Sequence, residues 1–136
     1  FLPHRNEQRG VGGLFFDDLA SDNFDATFST IRRIGESFLP LYLEIFERRQ
    51  SEPITEKNRA FQLFRRGRYA EFNLLLDRGT KYGLQSGRSV ENVLASMPPI
   101  ASWVHEYQID EGSPEHLLTE FFLKPRDWIT TVNNLP

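Results

Sequence analysis

The chain has 136 residues, of which 39% are hydrophobic and 13% aromatic, and it contains no cysteine. This apolar content suffices for one core of ordinary domain size, and the lack of cysteine excludes disulfides, iron–sulfur clusters, thiolate nucleophiles and cysteine zinc sites from this sequence. The formal net charge of −3 argues against nucleic acid as the main partner. No apolar stretch approaches the roughly 18–20 residues that a membrane-spanning helix needs.

Residues 4–19 combine arginines, a histidine and carboxylates around a glycine cluster that leads into an apolar run. The glycines of residues 10–13 precede the strand expected at residues 14–16, whereas a phosphate-binding loop follows a strand and opens a helix. We therefore interpret them as glycines that allow a positive φ or a close backbone approach where the chain enters a sheet. The adjacent Asp17 and Asp18 would point to opposite faces of a strand, so at most one of them faces a site.

Residues 21–49 carry the pattern of a long amphipathic helix. Ser21, Asp22 and Asn23 offer an N-cap, and apolar residues then recur at helical spacing. The stripe is expected to face a core. Pro40 is expected to kink or end this helix.

A second helix is expected to start at Pro53, to bury Ala60, Phe61 and Phe64, and to end at Gly67 in a left-handed cap. Arg65 and Arg66 would then lie in its last turn. Their position fits either cations placed at a helix C-terminus or a role in binding a ligand, and the sequence leaves both interpretations open.

The following residues predict a sheet. Residues 68–77 alternate apolar and polar side chains, which is typical of a long strand with one apolar face. Residues 77–80 have turn chemistry and predict that residues 81–85 return as a hairpin. Residues 100–107 have the composition of a further strand. Together these elements predict an α+β fold in which an antiparallel β-sheet is flanked by α-helices.

The loop Ser86–Ser89 precedes a short helix that Ser89 is expected to cap. Free N–H groups at the start of that helix, beside Arg88, would form a receptor for a carboxylate. The alternative is a plain capped loop with a solvent-facing arginine, and spacing alone favours it. Thirteen of the sixteen basic residues are arginines, whose planar forks match carboxylates, so a few of them are candidates for holding a multiply carboxylated ligand.

The C-terminal part predicts one more helix and a tail. Ser113 and Pro114 mark a helix start, and apolar residues from Leu117 to Phe122 form its expected buried stripe. We expect a single domain over residues 1–129 and a flexible tail over residues 130–136.

Four segments of the chain, of which the first two are long and specific, closely resemble the C-terminal half of oxygen-dependent coproporphyrinogen III oxidase. They are residues 4–19, 65–74, 77–85 and 126–128. The resemblance runs from His4 to about Ile129, so residues 1–129 are expected to be the C-terminal portion of a single domain of that enzyme.

This resemblance implies an oxidoreductase of heme biosynthesis. The enzyme would oxidatively decarboxylate two propionates of coproporphyrinogen III to vinyls, giving protoporphyrinogen IX, CO2 and H2O2. It implies O2 as co-substrate, no organic cofactor, and a divalent metal such as manganese in some members. It also implies a cytoplasmic homodimer with its interface at about Tyr69 to Val104.

The resemblance also implies site residues. Arg9 matches an active-site arginine that would hold a propionate, and Gly87, Arg88 and Ser89 fall in the loop that contacts the substrate. His4 matches a histidine that is sometimes assigned to a metal. The family more often has paired glycines here and an arginine one position later, so the residue that meets the propionate is left open.

The proposed acid/base histidine belongs to the N-terminal half of such enzymes, so the sequence leaves open whether this chain alone is active. The alternative function is a non-catalytic fragment that serves only as a dimerisation or tetrapyrrole-binding module. A third and remote alternative is a protein that binds nucleic acid through its arginines, which the acidic charge balance disfavours.

Overall fold

The computed structural model describes residues 1–14, 16 and 18–131, and these residues are mainly helical. The elements are a 3-10 turn at Pro3–Arg5, α1 at Phe24–Arg49, α2 at Glu56–Leu75, α3 at Arg78–Gln85, α4 at Val90–Val93, α5 at Pro114–Leu117 continued by a π-helical turn at Leu118–Phe122, and α6 at Trp128–Thr131. Helices account for 57% and strands for 2% of the described residues, which form no sheet. The predicted α+β fold with an antiparallel sheet is therefore wrong for this part of the chain.

The chain divides into two compact units. The first combines residues 1–12 with the residues from 55 onward, and the second comprises residues 13–54. No helix in the described ranges is long and apolar enough to cross a membrane.

In the second unit, the predicted long helix and its cap are confirmed. The side chain of Asn23 accepts a hydrogen bond of 3.0 Å from the backbone N–H of Ala26, which satisfies one of the free donors of the first turn. The helix α1 continues through Pro40 to Arg49, so Pro40 does not end it. No residue of α1 is buried, and most of its apolar side chains, including Phe24 and Phe38, are exposed, so the expectation that they face a core is wrong for the described residues.

In the first unit, α2 begins at a capping box rather than at Pro53. The hydroxyl of Thr55 accepts from the N–H of Asn58 at 3.2 Å, and the side chain of Asn58 accepts from the N–H of Thr55 at 3.1 Å. Each side chain thereby satisfies a donor that the first turn leaves free. The helix starts at Glu56, three residues after the predicted start.

Gly67 lies inside α2 and not at its end. A Cβ atom at Gly67 would lie 2.4 Å from the carbonyl oxygen of Ser102, and the N–H of Ser102 donates to the carbonyl of Leu63 at 3.0 Å. The chain around Ser102 therefore crosses α2 in backbone contact, in an irregular conformation. The left-handed cap predicted at Gly67 and the strand predicted at residues 100–107 are both wrong for this reason.

The hairpin predicted from residues 68–85 is also absent from the described structure, which places two successive helices there. Residues 68–75 complete α2, and residues 81–85 belong to α3. Asp77 separates the two helices and caps α3, because its carboxylate accepts a 2.6 Å hydrogen bond from the N–H of Thr80. Residues 77–80, which were predicted to form a turn, thus form the start of a helix.

The core of the first unit forms around the buried face of α2. Phe61 and Phe64 are buried, as predicted, whereas Ala60 is exposed and its predicted burial is wrong. The ring of Tyr107 stacks on Phe64 with centroids 4.4 Å apart. Leu2 and Leu123 are buried as well. Burial of these side chains is the main apolar contribution to the stability of this unit.

Near the C-terminus, the helix start at Ser113 is confirmed, since its hydroxyl accepts from the N–H of His116 at 3.1 Å. Thr130 and Thr131 belong to α6, whereas the rest of the predicted tail, residues 132–136, lies outside the described residues. Phe15, in the strand predicted at residues 14–16, and Asp17, in the predicted pair of aspartates, also lie outside the described residues.

The close contact at Gly67 leads to a first prediction. We expect Gly67→Ala to lower the free energy of unfolding by about 1–3 kcal/mol, because the new methyl group would displace the Ser102 carbonyl. Gly35→Ala, in α1, is the matched control: a Cβ there meets nothing within 4 Å, and alanine should stabilise that helix by about 0.5–1 kcal/mol. Urea denaturation followed by circular dichroism measures both, and equal effects of the two substitutions would contradict the contact.

Candidate functional site

The first residues of the chain are bound to α2 by charged groups centred on Glu71. Its carboxylate accepts from Arg5 Nε and Nη2 at 2.5 Å and from Trp103 Nε1 at 2.8 Å. His4 Nε2 lies 3.1 Å from the same carboxylate. Glu71 is buried, and a buried carboxylate is stabilised only when such donors replace its water.

A second carboxylate, Glu7, extends this cluster. It accepts a hydrogen bond from Arg65 and another, of 3.2 Å, from Arg68 Nε. Arg68 Nη1 also lies 3.7 Å from Glu71, so the buried Arg68 links the two carboxylates. We call Glu7, Glu71 and their partners Arg5, Arg65 and Arg68 the ion-pair cluster.

The hydrogen bond from Arg5 lowers the pKa of Glu71 from its ordinary value of 4.5 to about 2. The bond from His4 and the charges of Arg5 and Arg68 act in the same direction, while burial opposes them. The same bond to Glu71 raises the pKa of Arg5. Both groups are therefore charged at neutral pH, and the pair holds residues 4 and 5 against α2.

Arg9, one of the predicted substrate residues, is placed by this cluster but does not pair within it. Arg65 Nη2 donates to the carbonyls of Gln8 at 2.8 Å and of Arg9 at 3.3 Å, which fixes the backbone. The Arg9 guanidinium lies 3.8 Å above the centre of the Phe72 ring. Within the described ranges, no carboxylate or carbonyl accepts from its N–H groups.

The predicted loop lies at a separate cavity of about 540 Å³. The lining residues come from α3, the loop and α4: Gly79, Tyr82, Gly83, Arg88, Ser89, Asn92 and Val93. The absence of a side chain at Gly83 sets the approach of the two helices, because a Cβ there would lie 2.9 Å from Val93 Cγ2.

The structure brings Arg88 and Ser89 to this cavity, and Gly87, with a φ of +71°, makes the left-handed turn before them. The hydroxyl of Ser89 donates to the carboxylate of Glu91 at 2.7 Å and makes no cap for α4, so the predicted side-chain cap is wrong. Arg88 meets no acceptor among residues that the structure describes, and its donors are available to a carboxylate.

His4 does not lie in a metal-binding arrangement in this part of the chain. Its neighbour Glu71 is the one nearby carboxylate it contacts, and Arg5 occupies the same oxygens at 2.5 Å. A divalent cation there would be repelled by the Arg5 and Arg68 guanidinia. The described residues contain no group of three or more histidines, cysteines or carboxylates that fits a metal, so they do not fit the metal by themselves. The metal role of His4 stays a prediction.

A comparison with known protein families gives the context for these arginines. The family model described as coproporphyrinogen III oxidase matches residues 1–128. The chain belongs to the coproporphyrinogen III oxidase family. The resemblance predicted from the sequence is thereby confirmed, and the match includes all the candidate residues from His4 to Ser89. Membership of the coproporphyrinogen III oxidase family identifies an oxidoreductase of heme and porphyrin biosynthesis.

Several residues around the site were missed by the sequence interpretation: Glu7, Glu71, Phe72, Tyr82 and Asn92. The signal for Glu71 was present, because it lies three residues after Arg68, a spacing that places opposite charges side by side on a helix. Interpreting residues 68–77 as a strand hid that pairing. Nothing local indicates that Phe72 would lie under Arg9.

The low pKa of Glu71 leads to a second prediction. Because its pKa is about 2 in the folded chain and near its ordinary 4.5 when unfolded, its contribution is complete above about pH 4.5 and is lost as the pH falls toward about 2. That contribution is on the order of 2–3 kcal/mol. Glu71→Gln should remove it, and urea denaturation between pH 2 and pH 7 measures the difference.

The control for this experiment is Glu36→Gln, which removes an exposed carboxylate paired with Arg32 along α1. An exposed pair of this kind contributes about 0.5 kcal/mol or less. The stability curves of the unsubstituted chain and the Glu71→Gln variant should approach each other as the pH falls from about 4.5 toward about 2. Parallel curves across the whole range would contradict the assignment of Glu71.

Proposed function

We propose that this chain acts as an oxygen-dependent coproporphyrinogen III oxidase that converts two propionates of its substrate to vinyls, giving protoporphyrinogen IX. The family match supports the substrate class. The observation that carries the proposal is that Arg9 and Arg88 keep their guanidinium donors unpaired among the described residues, while Arg5, Arg65 and Arg68 are paired with carboxylates. A substrate with several carboxylates requires arginines whose guanidinium N–H groups are free to donate to it.

For each propionate, the proposed reaction breaks the bond between the carboxylate and its carbon and one C–H bond of the neighbouring carbon. A C=C bond forms and CO2 leaves. The two electrons and one proton released pass to O2, which takes one more proton from solvent and becomes H2O2. O2 is therefore the oxidant, and no organic cofactor takes part in this proposal.

In this proposal, the electron-rich reduced pyrroles react with O2 after a pyrrole N–H loses its proton, and the protein supplies orientation and exclusion of water. The cavity beside α3 and α4 has a size usual for small-molecule sites. Its donors for a propionate are the Arg88 guanidinium, the Asn92 amide and the Tyr82 hydroxyl. Gly87 sets the turn of this loop, and Ser89 contributes once a ligand displaces Glu91 from its hydroxyl.

The third prediction tests Arg88. We expect Arg88→Gln to weaken the binding of coproporphyrin III, a fluorescent analogue with the same four propionates, by about 10- to 100-fold, because a charged hydrogen bond to the carboxylate is lost. Arg33→Gln, at an exposed arginine of α1, should leave the affinity unchanged. Fluorescence titration of the full chain measures both.

Turnover distinguishes the main function from its alternative. The chain is incubated with coproporphyrinogen III in air, and the products are identified by mass. A porphyrin that lacks two carboxylates supports the oxidase. Binding without any such product would indicate the non-catalytic tetrapyrrole-binding module, and equal affinities of Arg88→Gln and Arg33→Gln would overturn the role of Arg88.

We further propose that the chain forms a homodimer through the surface between Tyr69 and Val104. Exposed apolar side chains in this range support the proposal, among them Leu75, Ile100 and Val104. Exposed apolar residues mark interaction sites when they form a contiguous surface of more than a few hundred Å². The range also includes the cavity residues, so association would bring the two sites of a dimer close to its interface.

The fourth prediction concerns this dimer. Ile100→Glu should weaken association by at least about tenfold, since a charge would be buried in an apolar contact. The matched control is Ile54→Glu, at an isoleucine that is 83% exposed and lies outside the proposed surface. Sedimentation velocity measures the effect. A monomeric unsubstituted chain, or dissociation by both substitutions alike, would contradict the proposal.

A further inference from the structure

Arg9 is held in a different way from the other arginines near the start of the chain and on α2. Arg5, Arg65 and Arg68 each contact a carboxylate oxygen in the ion-pair cluster. Arg9 instead places its guanidinium carbon 3.8 Å from the centre of the Phe72 ring. Arg9 therefore contacts an aromatic ring where each of the other three arginines contacts a carboxylate.

Contact with the face of a ring has a specific effect on an arginine. The guanidinium is planar, so stacking occupies its face and leaves the N–H groups at its edge free to donate. A carboxylate partner would use the same edge donors. Stacking therefore fixes the orientation of Arg9 without consuming the groups that recognise an anion.

The Phe72 ring belongs to the same stretch of chain as one wall of the cavity. The carbonyl of Phe72 accepts from the N–H groups of Leu76 and Asp77 at 2.9 Å each, which ends α2. Asp77 then caps α3 through Thr80 at 2.6 Å, and Gly79 and Tyr82 of α3 line the cavity. Short hydrogen-bonded links thus connect the ring under Arg9 to the cavity wall.

Asp77 is a titratable group whose charge interacts with that of Arg9, but the two form no ion pair. The N–H of Thr80 is the main cause of its lowered pKa, and the Arg9 charge adds to the effect. Its carboxylate forms a cap with Thr80 and makes no ion pair with Arg9 among the residues described. Arg9 is therefore near the junction of α2 and α3 with free donors.

We propose that Phe72 is a positioning residue, which holds the Arg9 guanidinium by its face so that the edge donors receive a carboxylate arm of the substrate. This inference rests on the proposed function and adds the residue that orients Arg9. Phe72 itself touches no substrate in this arrangement. Its effect on binding passes through Arg9 alone.

This dependence gives a test by a double-mutant cycle on the full chain, with coproporphyrin III as the probe. Arg9→Gln should weaken binding by about 10- to 100-fold. Phe72→Leu keeps an apolar side chain but removes the ring face, and should weaken binding by about 3- to 10-fold. The double variant should bind no more weakly than Arg9→Gln, because the ring acts only through the arginine.

Two further variants separate positioning from a purely structural role. Phe72→Tyr restores the ring face and should return the affinity to within about twofold of the unsubstituted chain, whereas Phe72→Met should behave as Phe72→Leu. Circular dichroism and thermal unfolding check that each variant is folded. A loss of stability with equal affinities in all variants would overturn the proposal.

The outcomes also distinguish this inference from the proposed function. If the unsubstituted chain does not bind coproporphyrin III, or if Arg9→Gln has no effect, the proposed function fails at Arg9. If Arg9→Gln weakens binding while Phe72→Leu does not, only the positioning role is overturned. The same holds if the effects of Phe72→Leu and Arg9→Gln multiply in the double variant.

Discussion

The charge pairing between Glu71 and Arg5 is the contact on which the first unit depends. It joins the start of the chain to the last turns of α2, across 66 positions of sequence. A buried carboxylate is strongly destabilising when one of its partners is removed, so the two must fold together. Trp103 donates to the same carboxylate and thereby ties the irregular segment after α4 to it.

This pairing also decides which arginines remain for a ligand. Glu7 and Glu71 engage Arg5, Arg65 and Arg68, and no carboxylate of the described residues forms an ion pair with Arg9 or Arg88. In the proposed function, Arg5, Arg65 and Arg68 stabilise the fold, whereas Arg9 and Arg88 bind the substrate. This division would provide anion-binding groups for a substrate with several propionates without weakening the fold.

The interpretation of residues 68–77 was wrong for a physical reason. Their apolar and polar residues alternate, but Arg65, Arg68 and Phe72 also follow the three- and four-residue steps of a helix face. The same residues therefore fit both the alternation of a strand and the spacing of a helix face. The choice depends on whether a neighbouring strand or the charged segment of residues 4–9 covers that face, and the sequence around residue 70 contains no information about which one does.

The sequence alone determined the family, the exclusion of cysteine chemistry, the candidate residues and the caps at Asn23 and Ser113. Caps and motifs depend on groups within a few positions of each other, and such interactions are encoded locally. Only the tertiary structure decided the helical path after Gly67, the carbonyl contact that requires that glycine, and the ring beneath Arg9. These features join residues more than thirty positions apart, and their free energies depend on burial and pairing that no short stretch of sequence specifies.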